Sequence, residues 1–520
     1  MEGFIVHRRD RIIVKIMVLL FVLWAGITTA QTTDATLRGL DEYIEKARQD
    51  WEIPGVAVGI VKDDALIFAK GYGVREIGKK AKVDEHTLFA VASNTKAFTA
   101  SMLGMLVDED KLEWDDRVID YIDDLQLYDP YVTREISVRD LLTHRSGLPT
   151  FGGDHLWIGA PENSREEIMA RLRFLKPTAP FRTRYQYQNL MFMVAGQIIP
   201  EITGKSWDDF IRERIFEPLG MNESNSSILV LPEEDNVATP HEVVDGKHVP
   251  IVYDNVNGIA PAGGINSNVV DMAQWMRLHL GGGVYEGRQI LSHEVIRDAH
   301  SIQFPLPVSD FNEDHFGTRF SGYGLGWSIS DYRGYKMISH GGGLSGMISL
   351  QTLIPEKSLG VIVLTNFAPN SLTRAVTYRI LDAFLGEPEQ DWSGVYLERR
   401  KQAEIREQKN EEELLAQRVK GTRPSLPMKD YAGRYFDELS GEAEVRMENG
   451  NLVFDYNPRH IGDLEHWHHD TFRVTWRHPI FDMAPKSFLT FYLDERGKVA
   501  TLRIHFYDPI YFQHVTEKER

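Results

Sequence analysis

The sequence predicts a mixed α/β chain in which strands from both ends flank a helical middle, followed by a small antiparallel β domain. Three observations carry this reading. Val56 to Val61 and Ala65 to Tyr72 are apolar runs joined by Lys62-Asp63-Asp64, the pattern of a hairpin. Strand-like runs return only after Tyr323, at Lys336 to Ser339, Met347 to Leu353 and Gly360 to Thr365. The regular β–α alternation of a doubly wound sheet is therefore missing. Beyond Pro424-Ser425-Leu426-Pro427, short stretches such as Leu452-Val453-Phe454 and Thr471-Phe472-Arg473-Val474 alternate apolar and polar, as in a sandwich or barrel.

Taken in order, Thr36 to Trp51 places Leu37, Leu40, Tyr43, Ile44, Ala47 and Trp51 at helical spacing, and Pro54-Gly55 ends that helix. A second helix begins near Ser93 and continues through Phe98, Met102, Leu103, Met105 and Leu106; Leu112 to Tyr121 leads into a further helical region. Leu141 to Pro149 ends a helix and enters a loop running through residue 180, which holds His155 and Trp157. A loop that long inside a compact domain is more often functional than not. Residues 185–200 form an apolar helix, and Ala260-Pro261-Ala262-Gly263-Gly264 breaks the chain before a helix at Val270 to Leu278. Residues 394–418 are charge-dense with few large apolar residues, the composition of a solvated connecting helix held by i,i+4 pairs.

Composition sets outer limits. The 520 residues are 42% hydrophobic and 26% charged, ordinary for a globular protein, and the length allows one large domain plus a smaller one. A net charge of −18 argues against nucleic acid as a partner. With no cysteine there are no disulfides, thiolate metal sites or cysteine nucleophiles. Arg8, Arg9, Arg11 and Lys15 precede an apolar run from Ile16 to Ile27, then Thr28-Thr29-Ala30. That is the pattern of a signal peptide over residues 1–30, giving an exported (periplasmic or secreted) chain with no stable membrane span after cleavage. An uncleaved N-terminal anchor is the alternative, since Ile12, Ile13 and Val14 extend the run. No feature of the sequence speaks to oligomeric state.

Ser93-Asn94-Thr95-Lys96 carries the chemistry. A serine and a lysine three residues apart share one helix face, close enough to exchange a proton. A serine hydroxyl needs a neighbouring base, and a lysine serves once its pKa is lowered, as a helix N-terminus does. Tyr187-Gln188-Asn189 supplies a phenol able to relay a proton and an amide able to bind a substrate carbonyl. His340-Gly341-Gly342-Gly343, at the end of one strand, lets a substrate backbone lie against the strand edge and offers an N–H for an oxyanion hole.

In this order and at these separations the three motifs resemble the serine β-lactamase/penicillin-binding-protein superfamily. The branch containing class C β-lactamases, DD-carboxypeptidases, D-aminopeptidases and related esterases is the most similar, since it has Tyr-x-Asn at the second motif. Leu141-Leu142-Thr143-His144-Arg145-Ser146-Gly147-Leu148-Pro149, Pro261-Ala262-Gly263-Gly264 and Tyr323-Gly324-Leu325-Gly326-Trp327 also look like the family. The tail around His466-Trp467-His468-His469 looks like its β-rich C-terminal extension. The resemblance implies an antiparallel sheet flanked by helices plus an all-helical region over residues 31–390, a charged helical linker at 391–424, and a β domain at 425–520.

It also implies a serine hydrolase acting on ester or amide bonds of a small-molecule or short-peptide substrate, with no metal or cofactor. Ser93 would be acylated, with Lys96 its base or proton partner and Tyr187 the acid/base of deacylation; which of these two takes the first proton stays open. Asn189, His340, Gly342 and Gly343 would bind substrate, and the N–H groups of Ser93 and Gly343 would form the oxyanion hole. Many members have Lys-Thr-Gly where this chain has His340-Gly341-Gly342. A histidine is largely neutral at pH 7, which favours an esterase or peptidase over an efficient β-lactamase. The alternative is a non-catalytic or slowly acylating binder of penicillins or peptidoglycan-like peptides. His466, His468 and His469 lack an accompanying metal-ligand set and are read as polar surface.

Overall fold

The computed structural model describes residues 36–159, 163–244, 246–478, 487–506 and 509–515. The expected signal segment, 1–30, lies outside these residues. Helix α1 (Leu40–Asp50) precedes the hairpin β1 (Gly55–Lys62) and β2 (Ala65–Gly73). Helices α2 (Thr95–Asp108), α3 (Asn189–Thr203) and α4 (Val269–Leu280) dominate the middle. The chain then returns to strands: β3 (Phe304–Leu306), β4 (Ser321–Tyr323), β5 (Ser328–Tyr332), β6 (Tyr335–Leu344), β7 (Met347–Ile354) and β8 (Leu359–Thr365). They join β1 and β2 in one antiparallel sheet of order β2-β1-β8-β7-β6-β5-β4-β3. The N-terminal hairpin is thereby captured by a strand some 300 residues later, with Val58 opposite Val363.

Both faces of the central strands are buried, so β1 and β8 read as continuous apolar runs. Alternation divides them between two cores. Ala57, Val61, Ile362 and Leu364 pack beneath the helical middle, with Phe98 of α2 and Trp275 of α4. Val56, Val58, Ile60, Val361 and Val363 pack beneath α1 and α5 (Leu372–Leu385). Helix α6 (Trp392–Gln417) starts in this second core, where Trp392 donates to Asp382 (2.6 Å) and Trp51 donates to Ser393 (3.1 Å).

From there α6 runs about 39 Å at 1.5 Å per residue. Its far end meets an eight-stranded closed barrel, β9 (Gly433–Asp437) to β16 (Pro509–His514), where Arg473 holds Glu411 at 2.6 Å. Tyr435, Phe454, Phe472, Leu502 and Phe512 fill the barrel interior. The barrel also grips the first part of the chain at two loops. His155 meets Ser440 at 3.0 Å, and Asn457 donates to the Ile158 carbonyl at 3.3 Å. Arg459 pairs with Asp254, whose other oxygen accepts from the Ser345 N–H (2.9 Å) in the β6–β7 turn.

Several sequence expectations change. Leu112 to Tyr121 holds a single 3-10 turn, Val118–Asp120, and the helical region it leads into consists of two short helices, Pro130–Glu135 and Val138–Leu142. The loop through residue 180 contains a helix, Arg165–Arg171, started by a capping box between Ser164 and Glu167. The helix expected over Thr36 to Trp51 runs as Leu40–Asp50, set off by Gly39 in the left-handed region. The glycine run lies inside β6, not at its end, because Gly341 to Gly343 stay paired with Leu350 to Ile348.

Asp382 is buried and accepts from both Tyr332 and Trp392, fixing α5, β5 and the start of α6 together. Asp382→Ala leaves two buried donors unpaired, at about 1–3 kcal/mol each. Urea denaturation is expected to show a loss of about 2–5 kcal/mol; a loss below about 1 kcal/mol would contradict this anchoring role.

Candidate active site

Ser93 sits in a 3-10 turn, Ala92–Asn94, that feeds directly into α2. Local bonds hold the turn. Thr95 Oγ1 donates to the Ala92 carbonyl at 2.7 Å and accepts from Ile265 N–H at 3.1 Å. Asn94 Nδ2 donates to Val91 O (3.1 Å) and to Ser349 Oγ (2.7 Å) of β7. Ala92 is forced to φ +49°, an unfavourable conformation for a residue with a Cβ, immediately before the serine.

Lys96, one turn on, is fully buried. Its Nζ lies 3.1 Å from Ser93 Oγ, 2.7 Å from Asn189 Oδ1 and 2.8 Å from the Ala262 carbonyl. Burial lowers its pKa to about 7, against the opposing field of Asp154. Desolvation is thus the chief cause of the shift that the sequence reading assigned to the helix N-terminus. The ammonium has three donors and three acceptors. Two of those acceptors are carbonyl oxygens, which cannot donate; only Ser93 Oγ can reverse its role. When Lys96 is neutral, its lone pair is therefore left for the serine proton.

Tyr187 lies in the extended segment before α3, half-buried, with its phenol hydrogen-bonded to Ser93 and its ring 4.9 Å from Lys96 Nζ. Burial pushes the phenol well above its ordinary pKa, so it is a neutral O–H at pH 7. Beneath it, the His144 ring lies tilted by 33° with its centroid 4.2 Å away, and His144 Nδ1 accepts the Gln188 N–H at 3.0 Å. His144 occupies φ +56° within the Leu141–Pro149 stretch, whose Arg145 carbonyl accepts Arg182 N–H at 2.8 Å. Asp140 draws in both Arg145 and Arg182, which hold its carboxyl below the usual range despite burial. That stretch is therefore the support on which Tyr187 rests.

Asn189, read from sequence as a substrate ligand, faces inward: Oδ1 accepts from Lys96 and Nδ2 donates to buried Asp154 at 2.7 Å. Both ends of the amide are taken, which makes Asn189 a holder of the lysine. His340 is likewise occupied. Its Nδ1 donates to the Gly341 carbonyl (2.7 Å) and its Nε2 accepts from Tyr323 Oη (2.9 Å). Burial lowers its pKa to about 3, so it carries no charge for a substrate carboxylate. Gly326, at φ +77°, lets the Tyr323–Trp327 stretch approach α2, where a Cβ would come within 2.8 Å of Lys96 O.

Strand β5 pairs with β6 only as far as Ser339, so the edge of β6 from His340 to Leu344 is free of it. Gly342 is buried against the nucleophile turn, where an added Cβ would stand 2.1 Å from Val91 O and 2.4 Å from Ser349 Oγ. Gly341 and Gly343 point the other way and are exposed. A cavity of about 1410 Å³ contains Ser93, Tyr187, His340 and all three glycines. It extends under α6, so one face of the helix expected to be a solvated connector forms a wall of the site.

Sequence reading missed Asp154, the Ala262 carbonyl, His144 and Tyr323. Three of these were signalled by the family-like stretches around them; Asp154 had no local sign beyond the long loop that carries it.

The family model described as Beta-lactamase matches residues 40–384, and one described as Domain of unknown function (DUF3471) matches residues 417–520. The chain is 31% identical over 453 residues to Unguisins hydrolase ungD′ of Aspergillus campestris, covering 82% of this chain and 81% of that protein. It is 27% identical to Penicillin-binding protein 4 of Amycolatopsis lactamdurans, over 62% of this chain and 84% of that one. The octameric penicillin-binding protein homologue from Pyrococcus abyssi superposes with a TM-score of 0.61 at 24% identity, over 91% of this chain and 99% of that one. The D-amino acid amidase from Ochrobactrum anthropi SV3 gives 0.54 at 22% identity, over 67% and 99% respectively.

Gly342→Ala is expected to lower stability by about 1–3 kcal/mol, since β6 must move off the nucleophile turn. At Gly341 an added Cβ meets nothing closer than 3.6 Å, so Gly341→Ala is expected to be tolerated. Thermal melting of the pair checks this; equal melting temperatures would contradict the close approach.

Proposed function

The chain belongs to the Beta-lactamase family, and on that premise we propose that it is a serine hydrolase that cleaves ester or amide bonds through an acyl-enzyme on Ser93. One observation carries the reading: a fully buried Lys96 amine, its pKa brought to about 7, lies 3.1 Å from Ser93 Oγ with its other acceptors unable to donate. Neutral Lys96 takes the Ser93 proton as Oγ attacks the substrate carbonyl. The oxyanion forms between the Ser93 and Gly343 N–H groups, and Tyr187 passes a proton to the leaving group. Water then enters by the reverse relay and releases the acid.

The neutral state of Tyr187 favours Lys96 as first base and leaves the phenol as shuttle. The neutral, fully bonded His340 favours substrates without a carboxylate beside the scissile bond, hence esters and peptide-like amides over β-lactams. The 31% identity to a protein named as a hydrolase, Unguisins hydrolase ungD′, supports hydrolysis in general. A binder that never turns over would have no chemical need for a reversible lysine.

A fluorophosphonate is expected to add to Ser93, located by mass spectrometry; no adduct and no turnover of a nitrophenyl ester would refute the reading. Lys96→Ala is expected to slow acylation about 10²–10⁴-fold, and far more than His340→Ala. Equal losses would contradict the role given to Lys96.

The pH dependence follows from the same group. The reactive form is deprotonated, so kcat/KM should rise with pH through about 7 and then level off. His340, titrating near 3, adds no step in that range. A profile flat from pH 5 to 9 would contradict Lys96 as the base.

A further inference from the structure

Three phenols surround the His144 ring, with centroids at 4.2 Å for Tyr187, 4.7 Å for Tyr323 and 5.4 Å for Tyr185. All three line the cavity that holds Ser93. Two of their hydroxyls are committed, Tyr187 to Ser93 and Tyr323 to His340 at 2.9 Å. Among the described residues no group hydrogen-bonds the third, that of Tyr185. A tyrosine drawn out of water ordinarily finds a partner for its hydroxyl, so this one is an exception at the edge of the reaction centre.

The Tyr185 ring is placed in advance. Tyr323 packs against it at 5.5 Å and Phe304 of β3 at 6.4 Å, opposite His144. Burial raises the phenol above its ordinary pKa, so it remains an O–H at neutral pH. A donor already fixed in a partly desolvated cleft binds an acceptor at little cost in ordering.

Its position says which part of a substrate it meets. Tyr185 and Tyr187 stand two apart in the segment before α3, and the Gln186 side chain between them turns to Thr178 Oγ1 (2.7 Å). Two residues of extended chain span about 6.6 Å and point their side chains to one side, which fits the contact both rings make with His144. Tyr187 is the group that hands a proton to the leaving group. Tyr185 therefore lies about one residue's length beyond it, beside Tyr323 and its uncharged partner His340. Such a neutral surround suits a neutral acceptor.

We propose that Tyr185 determines specificity, its hydroxyl donating to an amide carbonyl one residue beyond the scissile bond on the leaving-group side, so that leaving groups which continue as a peptide are selected. This rests on the assignment of Ser93 as nucleophile and Tyr187 as proton donor.

The test uses the full chain and two acetyl thioesters, of N-methylmercaptoacetamide and of butanethiol, whose leaving groups match in length and differ in the amide. The chain has no cysteine to disturb detection of the released thiol. Comparing the ratio of kcat/KM, amide over butyl, between wild type and Tyr185→Phe cancels the different reactivity of the two thiols. With folding verified by thermal melting, that ratio is expected to fall about 3- to 10-fold in Tyr185→Phe. A packing role alone would slow both thioesters alike, and an unchanged ratio overturns this proposal while leaving Ser93 as nucleophile. So does failure to hydrolyse the amide thioester in wild-type protein whose Ser93 is still labelled by a fluorophosphonate. No turnover of either thioester and no Ser93 adduct overturns the hydrolase reading, and this proposal with it.

Discussion

The structure turns on one buried amine. Taking a lysine out of water is costly, and Lys96 is accommodated only because Ser93, Asn189 and Ala262 surround its nitrogen at 2.7–3.1 Å. Each partner comes from a different part of the chain: the nucleophile turn, the start of α3, and the short helix Ala260–Gly263. Asn189 is in turn held by Asp154, and Thr99 on the next turn of α2 donates to the Pro261 carbonyl at 2.6 Å. The whole helical middle is therefore organised to present carbonyl oxygens to one nitrogen. The same burial that costs stability lowers the pKa and makes the group useful as a base.

The second constraint is the approach of β6 to that turn. Only a glycine at 342 allows the strand to touch Val91, and the strand's turn is held from outside by Asp254 and Glu242. Arg459 links Asp254 to the barrel, while Ser440 meets His155 next to Asp154. The barrel thus braces both the loop that holds Asn189 and the strand that lines the cavity. Helix α6, anchored at Trp392 and at Glu411, closes the cavity between them.

Local signals made part of this legible from sequence alone. Serine and lysine three apart, the Tyr187–Asn189 stretch and the glycine run each name their residues, and apolar runs located the hairpin, the later strands and the barrel. What stayed hidden depends on side chains meeting across long separations. Asp154 is one acid in a long loop until α3 brings Asn189 to it. Asn189 looks like a free amide until Lys96 and Asp154 take both its ends, and His340 looks available until Tyr323 meets it. Helix α6 reads as solvated because its charges are plain in the sequence, whereas the cavity beneath one face is a product of the fold.

The central claim is that Lys96 exchanges its proton near neutrality. Carbon-detected NMR of the full chain with 13C-labelled lysine, assigned by comparison with Lys96→Arg, follows the Lys96 Cε resonance with pH. A midpoint near 7 is the predicted result; a midpoint near the ordinary lysine value of about 10.4 would contradict the account.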